Sequence, residues 1–494
     1  MSHERTKSYS VLWSRSRELL GPLDVDRRQD FILTLLFVKY AGDRFADVPD
    51  APIVVPPGAS FRDLVALKGR PDLGRLLNEN ILAPLAAANG LAELPDFNDP
   101  AVFGVGREAI DRLTELISAF EHSALDFSLL RPEDDEDPLV DAYEHLWRYV
   151  ARDRGKPLVG RRVQPYVPSE VSRVIARVLG VGTGNLENAT AYDPAYSFGS
   201  PLSALHDESR RKLTLYAQAG ADRVGGPARM HLLLHGCRAP HLAQGSPFAA
   251  PQFLDGDKLK TFDFVVANPP LMNSAWLDGG DPMLDRFKRF QSFGAPPERR
   301  SSYAYLLHVV QSLKATGRGA CLLPLRVLSR GSRGDAETEI RWALVRKGLI
   351  SGIIALPPDL FFGTGISMAL VVVDRRGAYG RKGIFMLDAG LGFERDGFKN
   401  RLREQDVRKI TEVYEARLEL PNYSRIVPIQ EIAESDYNLN VVRYIASQPT
   451  AERRGRPAPA RRATSVVELE ALGGAWSPRG EHDVVSPNPA RGAR

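Results

Sequence analysis

The chain has 494 residues, of which 43% are hydrophobic and 26% are charged, an ordinary composition for a globular protein of more than one structural unit. Its 65 basic residues nearly balance its 61 acidic ones, so the net charge of +4 does not by itself favour nucleic-acid binding. Two cysteines exclude a disulfide framework, no run reaches the roughly 20 apolar residues of a membrane span, and residues 1–7 lack the apolar core of a signal peptide. We therefore expect a cytoplasmic protein with no membrane partner.

From about residue 12 to residue 157 the pattern predicts helices. Apolar residues recur at a spacing of three to four in Phe31–Tyr40, which predicts a buried helix. The acidic run Glu133–Asp137 is predicted to be a solvated loop rather than a metal site. Residues 1–157 are therefore expected to form an N-terminal helical domain.

From about residue 158 strands alternate with helices, a pattern typical of a mostly parallel, doubly wound α/β sheet. The predicted strands are Ala189–Asp193, Lys212–Ala217, Phe262–Ala267, Gly319–Leu323, Ile350–Leu356 and Met368–Asp374. This α/β domain is expected to cover residues 158–390 and to be followed by a helical segment at 391–446, mainly Arg401–Leu418. The last stretch, 447–494, contains six prolines, and eight arginines against five acidic residues, so it is predicted to be a basic, disordered tail.

Three histidines, His231, His235 and His241, raise the question of a metal site. His231 and His235 flank the apolar segment Leu232–Leu234, which is typical of histidines packed in a core. No set of cysteines and histidines has the spacing of zinc ligands. We therefore expect no metal.

The strand Phe262–Ala267 runs directly into Asn268-Pro269-Pro270-Leu271. Each proline fixes φ and lacks an N–H, so the Asn268 carboxamide and the Pro269 carbonyl are expected to project from a rigid turn at the sheet edge where α/β proteins bind ligands. Two such carbonyl groups can accept both hydrogens of an exocyclic amine and leave its lone pair free to attack. A bare Asn-Pro-Pro is more typical of a plain loop, but the preceding strand favours the catalytic interpretation.

Several segments in order make the chain resemble the methylation subunit of type I restriction-modification systems, a DNA adenine-N6 methyltransferase. Besides Asn268–Leu271, the resemblance rests on Leu12-Trp13, Leu36–Tyr40, Tyr303–His308, Gly363–Ile366, Asn400–Asp406 and Tyr437–Asn440. It covers roughly residues 10 to 445. It implies a Rossmann-like methyltransferase fold with an N-terminal helical domain and a C-terminal helical extension.

The resemblance also implies S-adenosylmethionine as cofactor and DNA as substrate. It further implies a specificity subunit that selects the DNA target and, in many systems, a motor-nuclease subunit. Cofactor contacts carry over to Tyr166, Asp193, Pro194, Gly199, Ala219 and Ser246, and the catalytic positions to Asn268, Pro269, Pro270 and Leu271.

At the cofactor positions the chain departs from the family pattern. The family's aromatic-Thr-Pro segment is Tyr166-Val167-Pro168, and its Asp-Pro-x-Cys-Gly-Ser-Gly turn is Asp193–Gly199, with Ser197 and Phe198 in place of small residues. The acidic residue that binds the ribose hydroxyls is Ala219. Charge-assisted hydrogen bonds contribute about 1.5–3 kcal/mol each, so this change alone predicts at least tenfold weaker cofactor binding.

The adenine-facing positions depart as well. The family's Gly-Asp-Thr-Leu is Gly245-Ser246-Pro247-Phe248, which removes a second carboxylate. The aromatic residue that follows Asn-Pro-Pro is Leu271. Base–aromatic stacking is worth about 1–3 kcal/mol, so leucine predicts a loss of roughly tenfold to hundredfold in rate.

Three hypotheses follow. The first is an active adenine-N6 methyltransferase, in which a flipped adenine lies against Leu271, its amine is held by Asn268 and Pro269, and the amine attacks the sulfonium methyl in line. The second keeps the fold and the binding of DNA or a partner but abandons most or all methyl transfer. The third is a pocket rebuilt for a small molecule and lined by Tyr196, Phe198 and Phe248.

DNA binding predicts lysines and arginines on a continuous face. Candidate basic stretches are Arg286–Arg289, Arg299-Arg300, Arg326–Arg333 and Arg401–Arg408. For each of them the alternative is an ordinary solvated surface.

Overall fold

The computed structural model describes residues 3–20, 23, 25–128, 146, 149, 164, 166–183, 186–197, 201–220, 226–237, 240–271, 276–277, 280–362, 364–397 and 399–445. The predicted acidic loop at Glu133–Asp137, the predicted tail and the positions Phe198, Gly199 and Gly363 lie outside these residues.

The N-terminal part is helical, as predicted. Its helices are α1 (His3–Leu19), α2 (Val25–Phe45), α3 (Phe61–Ala66), α4 (Leu73–Leu76), α5 (Ala83–Asn89), α6 (Pro100–Phe103) and α7 (Arg107–Ala119), with a π-helical turn at Leu77–Leu82 and a 3-10 turn at Ser123–Leu125. Helix α2 is buried throughout residues 31–41, which confirms the burial predicted for Phe31–Tyr40. Ser60 and Asp63 form a capping box that begins α3.

A nine-stranded sheet forms the second part of the molecule. Its strands are β1 (Thr190–Asp193), β2 (Thr214–Ala219), β3 (His241–Gln244), β6 (Phe262–Ala267), β7 (Leu313–Pro324), β8 (Ile350–Ala355), β9 (Met368–Asp374), β10 (Gly383–Asp388) and β13 (Ser424–Pro428). Their spatial order is β13-β10-β8-β9-β7-β6-β1-β2-β3. Two short hairpins lie outside this sheet: β4 (Leu254–Asp255) with β5 (Lys258–Leu259), and β11 (Glu394–Asp396) with β12 (Lys399–Arg401).

Helices cover both faces of the sheet. They are α8 (Ser169–Val178), α9 (Pro201–Glu208), α10 (Gly226–Leu234), α11 (Ser302–Gln311), α12 (Ala336–Arg346), α13 (Glu404–Ala416), α14 (Ile429–Glu434) and α15 (Val441–Ile445), with 3-10 turns at Pro282–Leu284, Leu325–Leu328 and Ala378–Gly380. Neighbouring residues of β6 belong to different buried clusters: Val265 packs with α11 and α12, whereas Phe264 and Val266 pack with α8 and α9. This alternation confirms the doubly wound α/β fold.

Two strands of the mostly parallel sheet, β9 and β13, run antiparallel to their neighbours. Strand β9 runs antiparallel to both of its neighbours, β7 and β8, and β13 runs antiparallel to β10. The pairs β1–β2, β1–β6, β2–β3, β6–β7 and β8–β10 are parallel, so the sheet is mostly parallel, as predicted. A buried apolar strand such as Met368–Asp374 carries no residue that fixes its direction, because only the length and path of its connections decide it.

The strands β3, β10 and β13 were not predicted. Strand β3 lies at an edge and is only half-buried, so it lacks a strong apolar pattern. Helix α13 confirms the helix predicted over Arg401–Leu418, but β13 shows that residues after 391 contribute a strand to the main sheet as well as helices. The domain boundaries at 157, 390 and 446 stay predictions. Within the described ranges, no helix is both long and apolar enough to cross a membrane.

Candidate functional site

The carboxyl ends of β1 and β6 lie side by side at the centre of the sheet. Ala191 and Tyr192 of β1 pair in parallel with Phe264 and Val265 of β6. From β1 the chain winds to β2 and β3 on one side, and it then returns to β6 and β7 on the other. Open α/β sheets bind ligands in the crevice at such a reversal of strand order. Asp193 ends β1 and Asn268 follows β6, so the structure brings these two predicted site residues to this crevice.

Gln164 joins the two strand ends. Its buried side-chain amide, through Nε2, donates to the main-chain oxygen of Ala195 at 2.5 Å and to the main-chain oxygen of Asn268 at 2.7 Å. Both hydrogens of the amide are therefore used to hold the turn after β1 against the turn after β6. Nothing in the sequence pointed to Gln164, because a lone glutamine forms no motif.

Asn268 and Pro269 are buried at this position, and Asn268 is only 3% exposed. Pro270 is half-buried, and its carbonyl oxygen accepts a hydrogen bond from the Ser301 hydroxyl at 3.4 Å. Arg299 and Arg300, which immediately precede Ser301, are exposed next to the turn. The carboxamide and proline carbonyl that the family uses for an amine thus occur at the expected edge, with cations beside them.

The Asp193 carboxylate shapes the turn after β1. It is 1% exposed, and its Oδ1 accepts the Ala195 N–H at 2.7 Å. Pro194 is buried between the two residues. Helix α9 begins only at Pro201, so this hydrogen bond does not cap the helix.

Tyr196 is packed inside the molecule. It is 1% exposed, its N–H donates to the Gln218 main-chain oxygen at 3.1 Å, and it belongs to the buried cluster that also contains Val167 and Leu202. Burial, and then the nearby Asp193 and Cys237, raise the pKa of the Tyr196 hydroxyl well above its usual value. The Tyr196 hydroxyl therefore stays neutral, and the ring packs in the buried cluster near the end of β1.

Ala219, the last residue of β2, is 3% exposed and presents a methyl group where the family has a carboxylate. Its neighbour Gln218 is fully buried and holds the loop after β3. The Gln218 Nε2 donates to the main-chain oxygens of Gly245 at 3.2 Å and Ala250 at 2.9 Å, and its Oε1 accepts the Gln252 N–H at 3.1 Å. The Gln218 side-chain amide at the end of β2 therefore binds the loop after β3 of the same chain.

Ser246 also has a structural partner. Its Oγ accepts the N–H groups of Phe248 at 3.2 Å and Ala249 at 3.3 Å, which caps the turn after β3. Phe248 is 4% exposed and packs against Trp276 and Tyr305, with ring centroids 4.9 and 4.8 Å away. The loop therefore carries an aromatic anchor in place of a ligand-binding carboxylate.

A buried polar network, unforeseen from the sequence, fixes this loop. Arg289 is 0% exposed and donates to the main-chain oxygens of Pro247 at 2.7 Å and Phe248 at 2.8 Å, and to the Asp285 carboxylate at 2.6 Å. His308 lies within hydrogen-bonding distance of both the Arg289 guanidinium, at 3.3 Å, and the Tyr192 hydroxyl, at 3.4 Å. The network thus links the 285–289 segment to the central strand β1.

Several of the candidate DNA-binding stretches contain an arginine that pairs with a carboxylate of the same chain. Arg289 of the Arg286–Arg289 stretch faces the interior and is paired with Asp285. Arg330 forms an ion pair with the buried Glu337, and Arg403 pairs with Asp406 at 2.7 Å. Because these arginines are held by carboxylates of the same chain, they are poor candidates for phosphate contacts.

Tyr166 and Leu271 take packing positions. Tyr166 is 4% exposed, its N–H donates to the Phe362 main-chain oxygen at 3.3 Å, and both rings belong to the buried cluster of the N-terminal helices. Leu271 is half-buried against the cluster that contains Tyr196. Phe248 and Tyr196 belong to two separate buried clusters, and Phe198, the third aromatic residue of the small-molecule hypothesis, lies outside the described residues.

The histidines suspected of metal binding are engaged elsewhere. Burial, and then the neighbouring His235, lower the pKa of His231 well below its usual value, and the His235 Nδ1 lies 2.6 Å from the Asp207 carboxylate. His241 stacks on Tyr216 with ring centroids 4.4 Å apart. No three His, Cys, Asp or Glu side chains in the described part of the chain are grouped to hold a metal ion. Cys237 and Cys321 are buried and are not joined in a disulfide.

The two halves of the crevice differ in what they fit. The Asn268 and Pro269 carbonyl groups lie just after β6, where the family resemblance implies that an adenine amine would bind. The side that S-adenosylmethionine would occupy offers the Ala219 methyl group, the buried Tyr196 ring and the buried Phe248 ring. These residues do not fit the cofactor in the way that the family resemblance implies, because no carboxylate ends β2 to bind ribose hydroxyls.

Comparisons with known proteins agree with the family resemblance. The family model described as N-6 DNA Methylase matches residues 134–453. The chain is 30% identical over 355 residues to the type I restriction enzyme MjaVII methylase subunit of Methanocaldococcus jannaschii, which covers 67% of this chain and 56% of that protein. It is 26% identical over 362 residues to the MpnII methylase subunit of Mycoplasma pneumoniae, which covers 69% of this chain and 62% of that protein. The matched region therefore spans less than two thirds of these relatives.

The fold is shared with a solved structure. The type I restriction-modification methyltransferase subunit from Streptococcus thermophilus superposes with a TM-score of 0.69 at 23% sequence identity, covering 89% of this chain and 99% of that one. This match confirms the methyltransferase-like α/β fold. Together with the family match over residues 134–453, it shows that the chain belongs to the N-6 DNA methylase family and resembles the methylase subunits of type I restriction enzymes.

Proposed function

We propose that the chain acts as a methylation subunit of a type I restriction-modification assembly that has kept DNA and partner binding but transfers methyl groups weakly or not at all. The partners would be DNA, a specificity subunit and a motor-nuclease subunit. The cofactor would be S-adenosylmethionine, bound weakly or not at all.

The observation that carries this proposal is Ala219. It ends β2 as a buried methyl group, 3% exposed, beside a glutamine that serves the protein's own loop. A ligand with two ribose hydroxyls that enters this crevice loses hydrogen bonds to water and finds no charged acceptor at β2 to replace them. Leaving such groups unpaired costs about 1–3 kcal/mol each, which is enough to weaken binding at least tenfold.

The family fold and the adenine-facing side support retained DNA binding. Asn268 and Pro269 directly follow β6, and the exposed arginines Arg299 and Arg300 lie beside Pro270. Arg300 also forms a long ion pair, 3.8 Å, with Glu337, but its side chain stays exposed. Exposed arginines next to a crevice can neutralise phosphates of a duplex, and each such contact should appear in the salt dependence of binding.

The cofactor half of the proposal is tested by isothermal titration of the purified chain with S-adenosylmethionine. We expect no detectable binding for the wild type, measurable binding for Ala219→Glu, and none for Ala219→Gln, which has the same size without the charge. Thermal melting of each variant verifies that the buried substitution is folded. Micromolar binding by the wild type would overturn this half of the proposal.

The DNA half is tested by fluorescence anisotropy with a labelled duplex at several salt concentrations. We expect the logarithm of the affinity to fall linearly with the logarithm of salt concentration, and the slope to decrease by about 1.8 in an Arg299→Ala/Arg300→Ala variant. Duplex binding with no salt dependence, or with an unchanged slope in this variant, would contradict it.

A second candidate is full methyltransferase activity, favoured by the intact Asn268-Pro269-Pro270 turn at the end of β6. In that case Asn268 and Pro269 would hold the amine of a flipped adenine, and Leu271 would contact the base. Methylation of duplex DNA that is lost in Asn268→Ala and retained in Arg299→Ala would support this candidate over the first.

A further inference from the structure

Four exposed cations and two exposed aromatic side chains lie near the amino ends of β8 and β10. The crevice described above lies instead at the carboxyl ends of strands. The exposed side chains come from the end of α12 and from the turn between β9 and β10. We call this surface the amino-edge patch, and its residues are Trp342, Arg346, Lys347, Arg376, Tyr379 and Lys382. It lies away from Asn268, and none of its residues belongs to the basic stretches noted in the sequence.

The turn that carries Tyr379 is held firmly. Arg375 donates to the main-chain oxygen of Leu313 at 2.7 Å, and Arg381 donates to the main-chain oxygens of Asp374, at 3.0 Å, and of Gly348. Gly348 adopts φ +63° so close to Ala378 that any side chain on it would collide with the Ala378 carbonyl. The end of α12 and the β9–β10 turn therefore form one fixed surface.

The aromatic rings of the patch face solvent. Tyr379 is fully exposed, with a relative exposure of 103%, and Trp342 is 41% exposed. The Arg346 guanidinium lies 5.2 Å from the centroid of the Trp342 ring, on the same side of α12 one turn later. Both rings are therefore accessible to a ligand, and Tyr379 presents its ring on a turn that the Arg375 and Arg381 hydrogen bonds hold in place.

The positive charge of the patch is poorly neutralised. Arg376 pairs with Asp374 at 3.4 Å, but in the described residues no ion pair includes Arg346, Lys347 or Lys382. Burial, and then the Arg376 charge, lower the pKa of the neighbouring Arg318, so a further cation lies close to Arg376. A cluster of cations of this kind is stabilised by a polyanion.

We propose that the amino-edge patch binds single-stranded nucleic acid, with its cations on the phosphates and unpaired bases stacked on Tyr379 and Trp342. Stacking on exposed rings between cations is how proteins hold single strands without sequence preference, whereas a duplex offers no free base face to these rings. This surface goes beyond the function proposed above, since it is separate from the crevice at Asn268 and would engage strands exposed elsewhere on the DNA.

The test is fluorescence anisotropy of the full chain with a labelled oligodeoxythymidylate and, in parallel, with a duplex of the same length. We expect Tyr379→Ala to lose about tenfold in affinity for the single strand. The Arg376→Ala/Lys382→Ala variant should lower the salt slope of single-strand binding by about 1.4. The Arg15→Ala/Arg17→Ala variant, a matched pair of exposed arginines on α1, should leave single-strand binding unchanged.

Thermal melting of each variant verifies the fold, and all substituted side chains are exposed. The proposal is overturned if the single strand does not bind, if its binding is unaffected by the patch variants, or if the Arg15→Ala/Arg17→Ala variant lowers it as much. Those outcomes leave duplex binding beside the Asn268 turn intact. Failure of this inference is therefore distinguishable from failure of the proposed function.

Discussion

The side-chain amide of Gln164 donates a hydrogen bond to the main-chain oxygen of Asn268 at 2.7 Å, and the same nitrogen donates to Ala195. A residue that precedes the sheet by sequence thus ties together the two strand ends that form the crevice. The position of the Asn268 turn therefore depends on a side chain 104 residues earlier in the chain.

Replacement of Gln164 by leucine should destabilise the fold. Two buried carbonyl oxygens would lose their partner, and each unsatisfied group costs about 1–3 kcal/mol. We expect a lower melting temperature and a lower midpoint in urea denaturation. Gln291→Leu, made at an exposed glutamine, is the matched control and should change stability much less. Equal stability of the Gln164→Leu variant and the wild type would show that the two carbonyls are not held by this side chain.

Replacement of Arg289 by methionine should be more damaging. It leaves the buried Asp285 carboxylate unpaired and frees the Pro247 and Phe248 carbonyls, and breaking a buried pair by removing one partner costs about 3–5 kcal/mol. A double-mutant cycle with Asp285→Asn measures the coupling. If Arg289→Met is as harmful alone as in the Asp285→Asn background, the ion pair is not the source of the loss.

The sequence was most informative where a residue's role is local. The apolar runs of the sequence located β6 and β9 with their observed bounds, because a strand buried on both faces has few polar residues. The sequence did not reveal the direction of β9, or that Gln164, Gln218 and Arg289 would be internal partners of main-chain carbonyls. These contacts join residues far apart in the chain, and polar side chains of this kind look the same in a sequence whether they face solvent or the interior.

His308 should make stability sensitive to acid. Burial, and then the Arg289 charge, hold the pKa of His308 well below its usual 6.5, so the folded protein keeps this ring neutral while the unfolded chain protonates it. The contribution is therefore fully present above pH 6.5 and is lost as the pH falls below that value. His308→Gln should flatten the fall in unfolding free energy between pH 7 and pH 5, by at most about 1.4 kcal/mol per pH unit.

The matched control for that measurement is His122→Gln, which makes the same chemical change at the exposed surface of the N-terminal part. Chemical denaturation at a series of pH values gives the slope for each variant. If the wild type and His308→Gln lose stability in parallel on acidification, protonation of this buried ring is not the cause.

Asp30, in the N-terminal helix α2, should make the stability of the protein fall as the pH rises, which is the opposite of the effect of His308. Burial raises the pKa of its carboxyl from 3.8 to about 7, against a smaller lowering by Arg27. The folded state therefore favours the protonated form, so its stability is greatest below pH 4 and declines as the pH rises through 7. A difference of this size corresponds to at most about 4 kcal/mol. Asp30→Asn, which cannot ionise, should match the wild type near pH 4 and exceed it in unfolding free energy at pH 8.

The same substitution at Asp111, an exposed residue of α7 in a loose pair with Arg107 at 3.7 Å, is the matched control. Exposed pairs of this type contribute about 0–1 kcal/mol, so Asp111→Asn should follow the pH profile of the wild type closely. A stability gain for Asp30→Asn that is the same at pH 4 and pH 8 would attribute the effect to packing rather than to the cost of a buried charge. A gain that grows across this interval would locate in α2 a carboxylate whose ionisation weakens the helical domain near neutral pH.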